Sequence, residues 1–348
     1  MDQRKHLIHQ GESIKSALSM LNALGPDAIL FVVDNDDTLI GSLTDGDIRR
    51  GFIKNLGFED SLLNFIQPNP VFIRKNEYSL HDLESYRQRN LKIIPIVDEQ
   101  QHIIDVLNLR LKTTMLPINA VVMAGGMGKR LLPLTANCPK PLLKVGNKPI
   151  IEHNIDRLIR YGLNHIHISI NYLGHMLEEY FGDGSHKDIR ISYAKETVPL
   201  GTIGSIKLIQ GLDKEHILVM NSDLLTNIDF SDFYASFLKS NADMTVACVG
   251  YHVDVPYAVL ELNSDETVKS LVEKPRYTYY SNAGIYLMKK GVLDLIPDNK
   301  PFDVTDLMET IIAAGRKLTT FPILGYWLDI GKMQDYHKAQ EDIKHIQL

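Results

Sequence analysis

Apolar positions in this 348-residue chain fall into two regimes. In the first, a hydrophobic run breaks at an acidic turn and resumes, and the pattern occurs twice. "LFVVDNDDTLIGSLT" (30–44) aligns without gaps on "IPIVDEQQHIIDVLN" (94–108), an offset of 64 residues. Each copy reads as strand, polar turn at Asp34 or Asp98, and strand. A helix-like stretch precedes each, "SIKSALSMLNAL" (13–24) and "SLHDLESYRQR" (79–89). One such unit buries little surface alone, so the copies, about 1–57 and 58–115, are expected to pack as one small α+β domain.

The second regime follows "LRLKTTMLP" (109–117), a connector in which Pro117 discourages helix continuation. Strands are predicted at 118–123, 165–170, 189–193, 216–220, 244–249, 257–262 and 283–288. Helices are predicted at 149–161, 173–181, 202–210, 230–239, 303–314 and 333–346. The alternation predicts that 116–348 is an α/β domain with a Rossmann-like, doubly wound, mainly parallel mixed sheet.

Composition narrows the function. Hydrophobic residues at 44% and charged residues at 23% are ordinary for a soluble globular protein. A net charge of −6 without a long basic block argues against a nucleic-acid surface. Two cysteines, Cys138 and Cys248, exclude a disulfide framework, and Cys248 in "TVACVG" reads as core. The N-terminus lacks an apolar signal core, and no run approaches the length of a membrane span, so a cytoplasmic protein is expected. His165 and His167 share a strand face without further ligands and read as structural.

The stretch "VVMAGGMGKRLLPLTANCPKPLL" (121–143) carries the candidate chemistry. It fails the Walker pattern, because Arg130 follows Gly128-Lys129 and position 123 is Met. It also fails the dinucleotide fingerprint, because Leu131 stands where the third glycine belongs. Gly125 and Gly126 nevertheless let backbone N–H groups approach an anion, and Arg130 and Lys140 supply positive charge nearby. Pro139 and Pro141 stiffen the backbone on either side of Lys140. A polyphosphate suits this loop.

The stretch, with "GGMGKRLLPLT" and "PKPLL", resembles the signature of sugar-1-phosphate nucleotidyltransferases. Further blocks follow in that family's order: "ETVPLGTIGS" (196–205), "VMNSDLL" (219–225), "VEKPRY" (272–277), "SNAGIYLM" (281–288) and "YWLDIGKMQDY" (326–336). The resemblance covers 118–346. It implies that Ala124, Gly125, Gly126 and Gly128, with Arg130, hold the nucleoside triphosphate, and that Lys140 contacts phosphate near the reacting centre. It further implies that Leu200, Gly201 and Thr202 meet base and ribose, while Asp223 and Asp329 bind Mg²⁺. Glu273, Asn282, Gly284 and Trp327 fall to the sugar, and Lys274 to its phosphate.

Glu196, as a hydrogen-bond acceptor near the base, would suit guanine. Overall likeness is to guanylyltransferases of bacterial surface-sugar pathways, above all the glucosamine-1-phosphate enzymes of legionaminic acid synthesis, with mannose-1-phosphate enzymes as near neighbours. GTP is therefore the expected donor. UTP or dTTP use, and a catalytically silent nucleotide-sugar sensor, are the alternatives.

The front domain resembles a pair of CBS domains. In "GSLTDGDIRRGF" (41–52), Thr44 and Asp47 match the positions that would contact the ribose and phosphate of an adenine nucleotide. Thr44 with an acidic residue three positions on is equally an ordinary helix start. The second copy has Asn108 and Leu111 there and lacks the pattern. A structural or dimerising module, giving a homo-oligomer, is the alternative.

Overall fold

Two units, Met1–Met115 and Leu116–Leu348, divide the chain in the computed structural model, which describes residues 3–75, 82, 85, 86, 88–110, 113–346 and 348. In the first unit, Leu7–His9 runs parallel to Leu30–Val33, which pairs antiparallel with Leu39–Leu43. Ile73–Arg74, Ile93–Val97 and Ile103–Asn108 repeat that order and those directions. The repeat extends to register: Leu30 faces Leu43 as Ile94 faces Leu107, and the bulges fall at Val32/Val33 and Ile96/Val97. Asp34 accepts backbone N–H bonds from Asp36 and Thr38, and Asp98 accepts them from Gln100 and His102. The copies bridge at Thr38 and His102 and share an apolar cluster that includes Phe31, Val33, Ile93 and Val97. The predicted helix at 79–89 and Leu111 lie largely or wholly outside the described residues.

The second unit is built on one seven-stranded sheet. Its strands are β1 (Asn119–Met123), β2 (His165–Ile170), β3 (Arg190–Lys195), β4 (His216–Asn221), β5 (Met244–Asp254), β6 (Arg276–Lys289) and β7 (Leu318–Pro322). Their spatial order is β3-β2-β1-β4-β6-β5-β7. β6 runs antiparallel to both neighbours, and the other pairs are parallel. The central strands are almost continuously apolar and buried, through Ala120–Val122 in β1 and Ile217–Met220 in β4, as strands covered on both faces must be. The helices are α1 (Ile150–Arg160), α2 (Gly174–Phe181), α3 (Phe230–Ser240), α4 (Val304–Ala313) and α5 (Met333–Asp342). The chain leaves β1 toward β2 on one side and reaches β4 on the other, so strand order reverses at β1. In open α/β sheets the crevice outside the carboxyl ends of such strands is where ligands bind.

Several predicted elements are corrected. The 202–210 stretch is a 3₁₀ turn, Gly204–Leu208, rather than an α-helix. Gly201 has φ of +79° and Ile203 has φ/ψ of −135°/−21°, neither of which continues a helix. The 257–262 strand is Val259–Leu262 and forms a separate hairpin with Val268–Val272. β5 and β6 continue beyond the predicted 249 and 283, pairing from Tyr251 with Tyr279 out to Asp254 with Arg276. The final helix stops at Asp342, short of 346. β7, "LTTFP", carries little strand signal because it is a half-exposed edge that ends in proline. Among the described residues no helix is long and apolar enough to cross a membrane.

Candidate active site

A cavity of about 440 Å³ opens at that strand-order reversal. Gly125, Gly126 and Met127 line it after β1, Asn171 and Tyr172 after β2, and Asn221, Ser222 and Asp223 at the end of β4. Ala124 is buried, and its N–H donates to Ser169 O at 2.9 Å, fixing the start of the glycine loop against β2. A Cβ on Gly125 would stand 2.8 Å from Glu196 Oε1, whereas one on Gly126 would meet nothing within 4 Å. The wall therefore touches Gly125 closely and leaves Gly126 facing open space. Gly128 has φ of +61° and leads into a 3₁₀ turn that carries Arg130.

Lys140 is the cation the fold buries here, with 8% of its surface exposed. The turn Lys140–Leu142, with Pro141 buried inside it, sets the direction of the side chain. Its ammonium contacts the Asp223 carboxylate and lies 4.0 Å from Asp329 Oδ1. A two-stranded ribbon brings these acids together. Leu224–Thr226 pairs antiparallel with Trp327–Asp329, placing Leu224 opposite Asp329, and Ile330 N–H donates to Asp223 O at 3.1 Å. Burial and the negative charge of Asp223 push the Asp329 carboxyl up from its ordinary range, while Lys140 and Arg130 partly offset them. Its Oδ1 is buried with no hydrogen-bond partner, although the side chain as a whole is 46% exposed.

These two carboxylates fit a hard divalent cation. Paired, mutually repelling acids with an orphaned buried oxygen gain from a positive ion between them. No cluster of three or more His, Cys, Asp or Glu side chains poised for a metal occurs among the described residues. An ion here would complete its shell with water or ligand oxygens, as Mg²⁺ commonly does.

Toward the other end of the cavity, neutral donors hold Glu196. Its Oε1 accepts from the Ser169 hydroxyl at 3.0 Å, and its Oε2 from Leu200 N–H at 3.1 Å and the Asn171 amide at 3.4 Å. Leu200 itself is buried. Gly201 lines the cavity, and a Cβ there would stand 2.6 Å from Phe302 O. Thr202 also lines it while its hydroxyl accepts from Val304 N–H at 2.9 Å, tying the turn to the start of α4.

Gly284 (φ +72°) backs Asn221, since a Cβ there would stand 2.7 Å from Asn221 Nδ2. Asn282 Oδ1 accepts from Gly284 N–H at 2.9 Å, and Trp327 Nε1 donates to Ala283 O at 2.9 Å. These three predicted sugar residues form one group beside the ribbon that carries the two aspartates. Glu273 and Lys274 stand apart: both are exposed after Val268–Val272 and neither lines the cavity. Lys274 takes φ of +45°, a left-handed conformation uncommon outside glycine.

Asn171, Tyr172, Asn221 and Ser222 line the cavity, and motif reading assigned them no role. Their signal was positional: each lies at or just beyond the carboxyl end of a strand bordering β1.

The other singled-out residues lie elsewhere. Thr44 caps the helix Asp45–Ile53, and Asp47 closes a capping box with it. The Thr44 N–H and hydroxyl both donate to Asp47 Oδ2, and Gln67 donates to Oδ1 at 2.8 Å. Asp47 is 4% exposed. His165 bonds Ser192, while His167 Nε2 is buried without a partner. Burial and the neighbouring His165 bring His167 down to about 4, so it is a neutral core residue. Cys248 is buried.

The chain is similar to several known proteins. Similarity runs to the mannose-1-phosphate guanylyltransferase catalytic subunit beta of Dictyostelium discoideum, 32% identical over 63% of this chain and 62% of that one. It runs also to the mannose-1-phosphate guanylyltransferase of Mycobacterium tuberculosis, 30% identical over 65% of this chain and 64% of that one. The chain thus spans under two thirds of the length of these relatives. Among solved structures, HddC from Yersinia pseudotuberculosis complexed with GMP-PN superimposes with a TM-score of 0.50. It is 28% identical over 65% of this chain and 99% of that one. The nucleotidyl transferase family model matches residues 119–346, and with the glycine loop, Lys140 and the paired aspartates inside that span, the chain belongs to the nucleotidyl transferase family.

Proposed function

We propose that this protein is a sugar-1-phosphate guanylyltransferase, joining GTP and a hexose 1-phosphate into a GDP-sugar with release of pyrophosphate. The observation that carries this reading is the contact of Lys140 with Asp223, 4.0 Å from Asp329, at the mouth of an open glycine loop. The sugar-phosphate oxygen attacks the α-phosphorus, the bond to the leaving pyrophosphate breaks, and no general base is required because the nucleophile is already ionised. The obstacle is bringing anions together: at about 4 Å each pair of unit charges repels by roughly 4 kcal/mol at an effective dielectric of 20. Lys140 and Arg130 counter that repulsion from the nucleotide side, and Lys274 is assigned the sugar phosphate. Asp223 and Asp329 would hold Mg²⁺, which when bound supplies further positive charge to the phosphate oxygens. Asn282, Gly284, Trp327 and Glu273 receive the sugar ring.

Glu196 supports guanine as the base. A carboxylate only accepts hydrogen bonds; guanine presents the N1–H and N2 amine together, whereas uracil and thymine flank one N–H with two carbonyls. The names of the relatives favour mannose 1-phosphate, and the likeness to surface-sugar enzymes favours glucosamine 1-phosphate. Pyrophosphate release is measured across four nucleoside triphosphates and the 1-phosphates of mannose, glucosamine and glucose. Turnover with GTP is expected; preference for UTP or dTTP overturns the base assignment. Nucleotide binding without turnover for any pair would make the protein a silent sensor.

A further inference from the structure

The buried face of α1 holds an irregularity. Ile150, Ile151, Ile155 and Leu158 pack inward at helical spacing, and so do two polar residues, Asn154 and Arg157, 1% and 6% exposed. The Asn154 amide donates to Ser222 O at 3.3 Å and to Leu224 O at 2.9 Å. These are the carbonyls on either side of Asp223. The carbonyl of Asp223 is taken by Ile330 N–H, next to Asp329. Three consecutive carbonyls are thereby fixed, two of them by one side chain. Ser222 N–H donates to Met123 O at 3.1 Å, so the residue before Asp223 is held through both its N–H and its carbonyl.

We propose that Asn154 is a positioning residue for Asp223: by holding the carbonyls of the residues before and after it, Ser222 and Leu224, it fixes the direction in which that carboxylate leaves the backbone. Asn154 Oδ1 is buried without a partner, so the two carbonyls alone orient the amide. Leucine would fill similar volume without an unpaired polar atom such as Asn154 Oδ1, so what asparagine adds at this position is the donor to the Ser222 and Leu224 carbonyls. A carboxylate that must meet a cation is sensitive to such backing, because groups behind a metal ligand set its orientation. Arg157 supplies an internal comparison. One turn further along the same face, it donates to Ile228 O, five residues beyond Asp223, and packs over Tyr161 and Phe230. It supports the same segment without touching the peptides of Asp223.

The proposal rests on the assignment of Asp223 as a metal ligand, and the experiment separates the two. Mn²⁺ is titrated onto the intact 348-residue chain by water proton relaxation, and the Mg²⁺ concentration for half-maximal pyrophosphate release is measured alongside. Asn154→Leu is expected to weaken Mn²⁺ binding and raise the Mg²⁺ requirement roughly tenfold, leaving KM for the sugar phosphate unchanged. Arg157→Leu is expected to lower the melting temperature while leaving Mn²⁺ affinity as in wild type. Asn154→Ser, smaller and still a donor, serves if the leucine variant does not fold, and is expected to weaken Mn²⁺ binding to a lesser degree. Equal Mn²⁺ affinity in wild type and the folded Asn154 variant overturns the positioning role. Equal losses for Asn154→Leu and Arg157→Leu reduce it to general support of the segment. No Mn²⁺ binding to wild type, or binding unaffected by Asp223→Ala, overturns the metal assignment instead.

Discussion

Lys140 and Asp329 stand 4.0 Å apart, and the same ammonium touches Asp223, so one buried cation serves two carboxylates. Removing it leaves two acids facing each other with no counterion in contact, an arrangement proteins tolerate poorly. Lys140→Met is therefore expected to lower the melting temperature at pH 7. Divalent cations should restore part of the loss by taking over the neutralisation. Turnover should fall by roughly 100-fold or more, as when one positioned charge-stabilising group is lost elsewhere. Calorimetry with and without Mg²⁺, beside pyrophosphate release, checks both; a melting temperature unmoved by the substitution would refute the shared-cation reading.

Asp329→Asn should do the reverse to stability. Burial and the charge of Asp223 raise the folded-state value of Asp329 above its unfolded one. Its favourable contribution is thus complete below the unfolded value, about 3.9, and is lost as pH rises through the folded value. Asparagine carries no charge to be penalised, so the variant should melt above the metal-free wild type near pH 7, with the gap closing toward pH 4. Turnover should be abolished. A gap that stays constant with pH would show that Asp329 is not the strained acid.

The glycine loop offers a matched pair. In Gly125→Ala the new methyl group would press on Glu196 Oε1 at 2.8 Å and on Asn171 Cβ at 3.3 Å. Displacing Glu196 should reduce both stability and nucleotide affinity. In Gly126→Ala the methyl group enters open space, so the melting temperature should hold while KM for GTP rises roughly tenfold through lost backbone approach. Unchanged KM in a folded Gly126→Ala protein would mean the triphosphate lies elsewhere.

Glu196→Gln tests the base. A glutamine whose carbonyl stays on Leu200 N–H turns its amide NH₂ toward the Ser169 hydroxyl, which can accept, so the wall should survive, and the amide now offers a donor to a pyrimidine carbonyl. kcat/KM for GTP should fall roughly 10- to 100-fold, and the ratio of UTP to GTP use should rise. A uniform loss for all four nucleotides would assign Glu196 to the wall alone.

Much of this architecture is written in local pattern, and the rest is not. The 64-residue repeat is visible because the same apolar spacing recurs around Asp34 and Asp98, and it reappears as identical register and turn bonding. The glycine loop, Lys140 and the two aspartates could be picked out by their motifs, and their convergence at one cleft follows from strand order at β1. The Gly204–Leu208 turn misled because its apolar spacing is helical while Gly201 and Ile203 adopt backbone angles that periodicity does not encode. Asn154 was invisible for a related reason. An asparagine within an amphipathic helix signals nothing until the fold brings Ser222 O and Leu224 O to it from about 70 residues away.

The front unit yields the last prediction. Thr44 and Asp47 fit both a nucleotide contact and a helix start in sequence, and their side chains are engaged in the capping box. Burial opposes ionisation of Asp47, but bonds from Thr44, Gln67 and Arg50 outweigh it and hold the carboxyl below its ordinary value. Its contribution is therefore present at neutral pH and lost only in acid, as pH falls through the lowered value. Asp47→Ala should destabilise the helix start by about 1–2 kcal/mol, seen as faster amide exchange over 44–53 with exchange at the glycine loop unchanged. An adenine nucleotide should not alter that difference. If instead AMP slows exchange at 44–53 in wild type but not in the variant, and the two unliganded proteins exchange alike, Asp47 is a ligand contact and the cap is incidental.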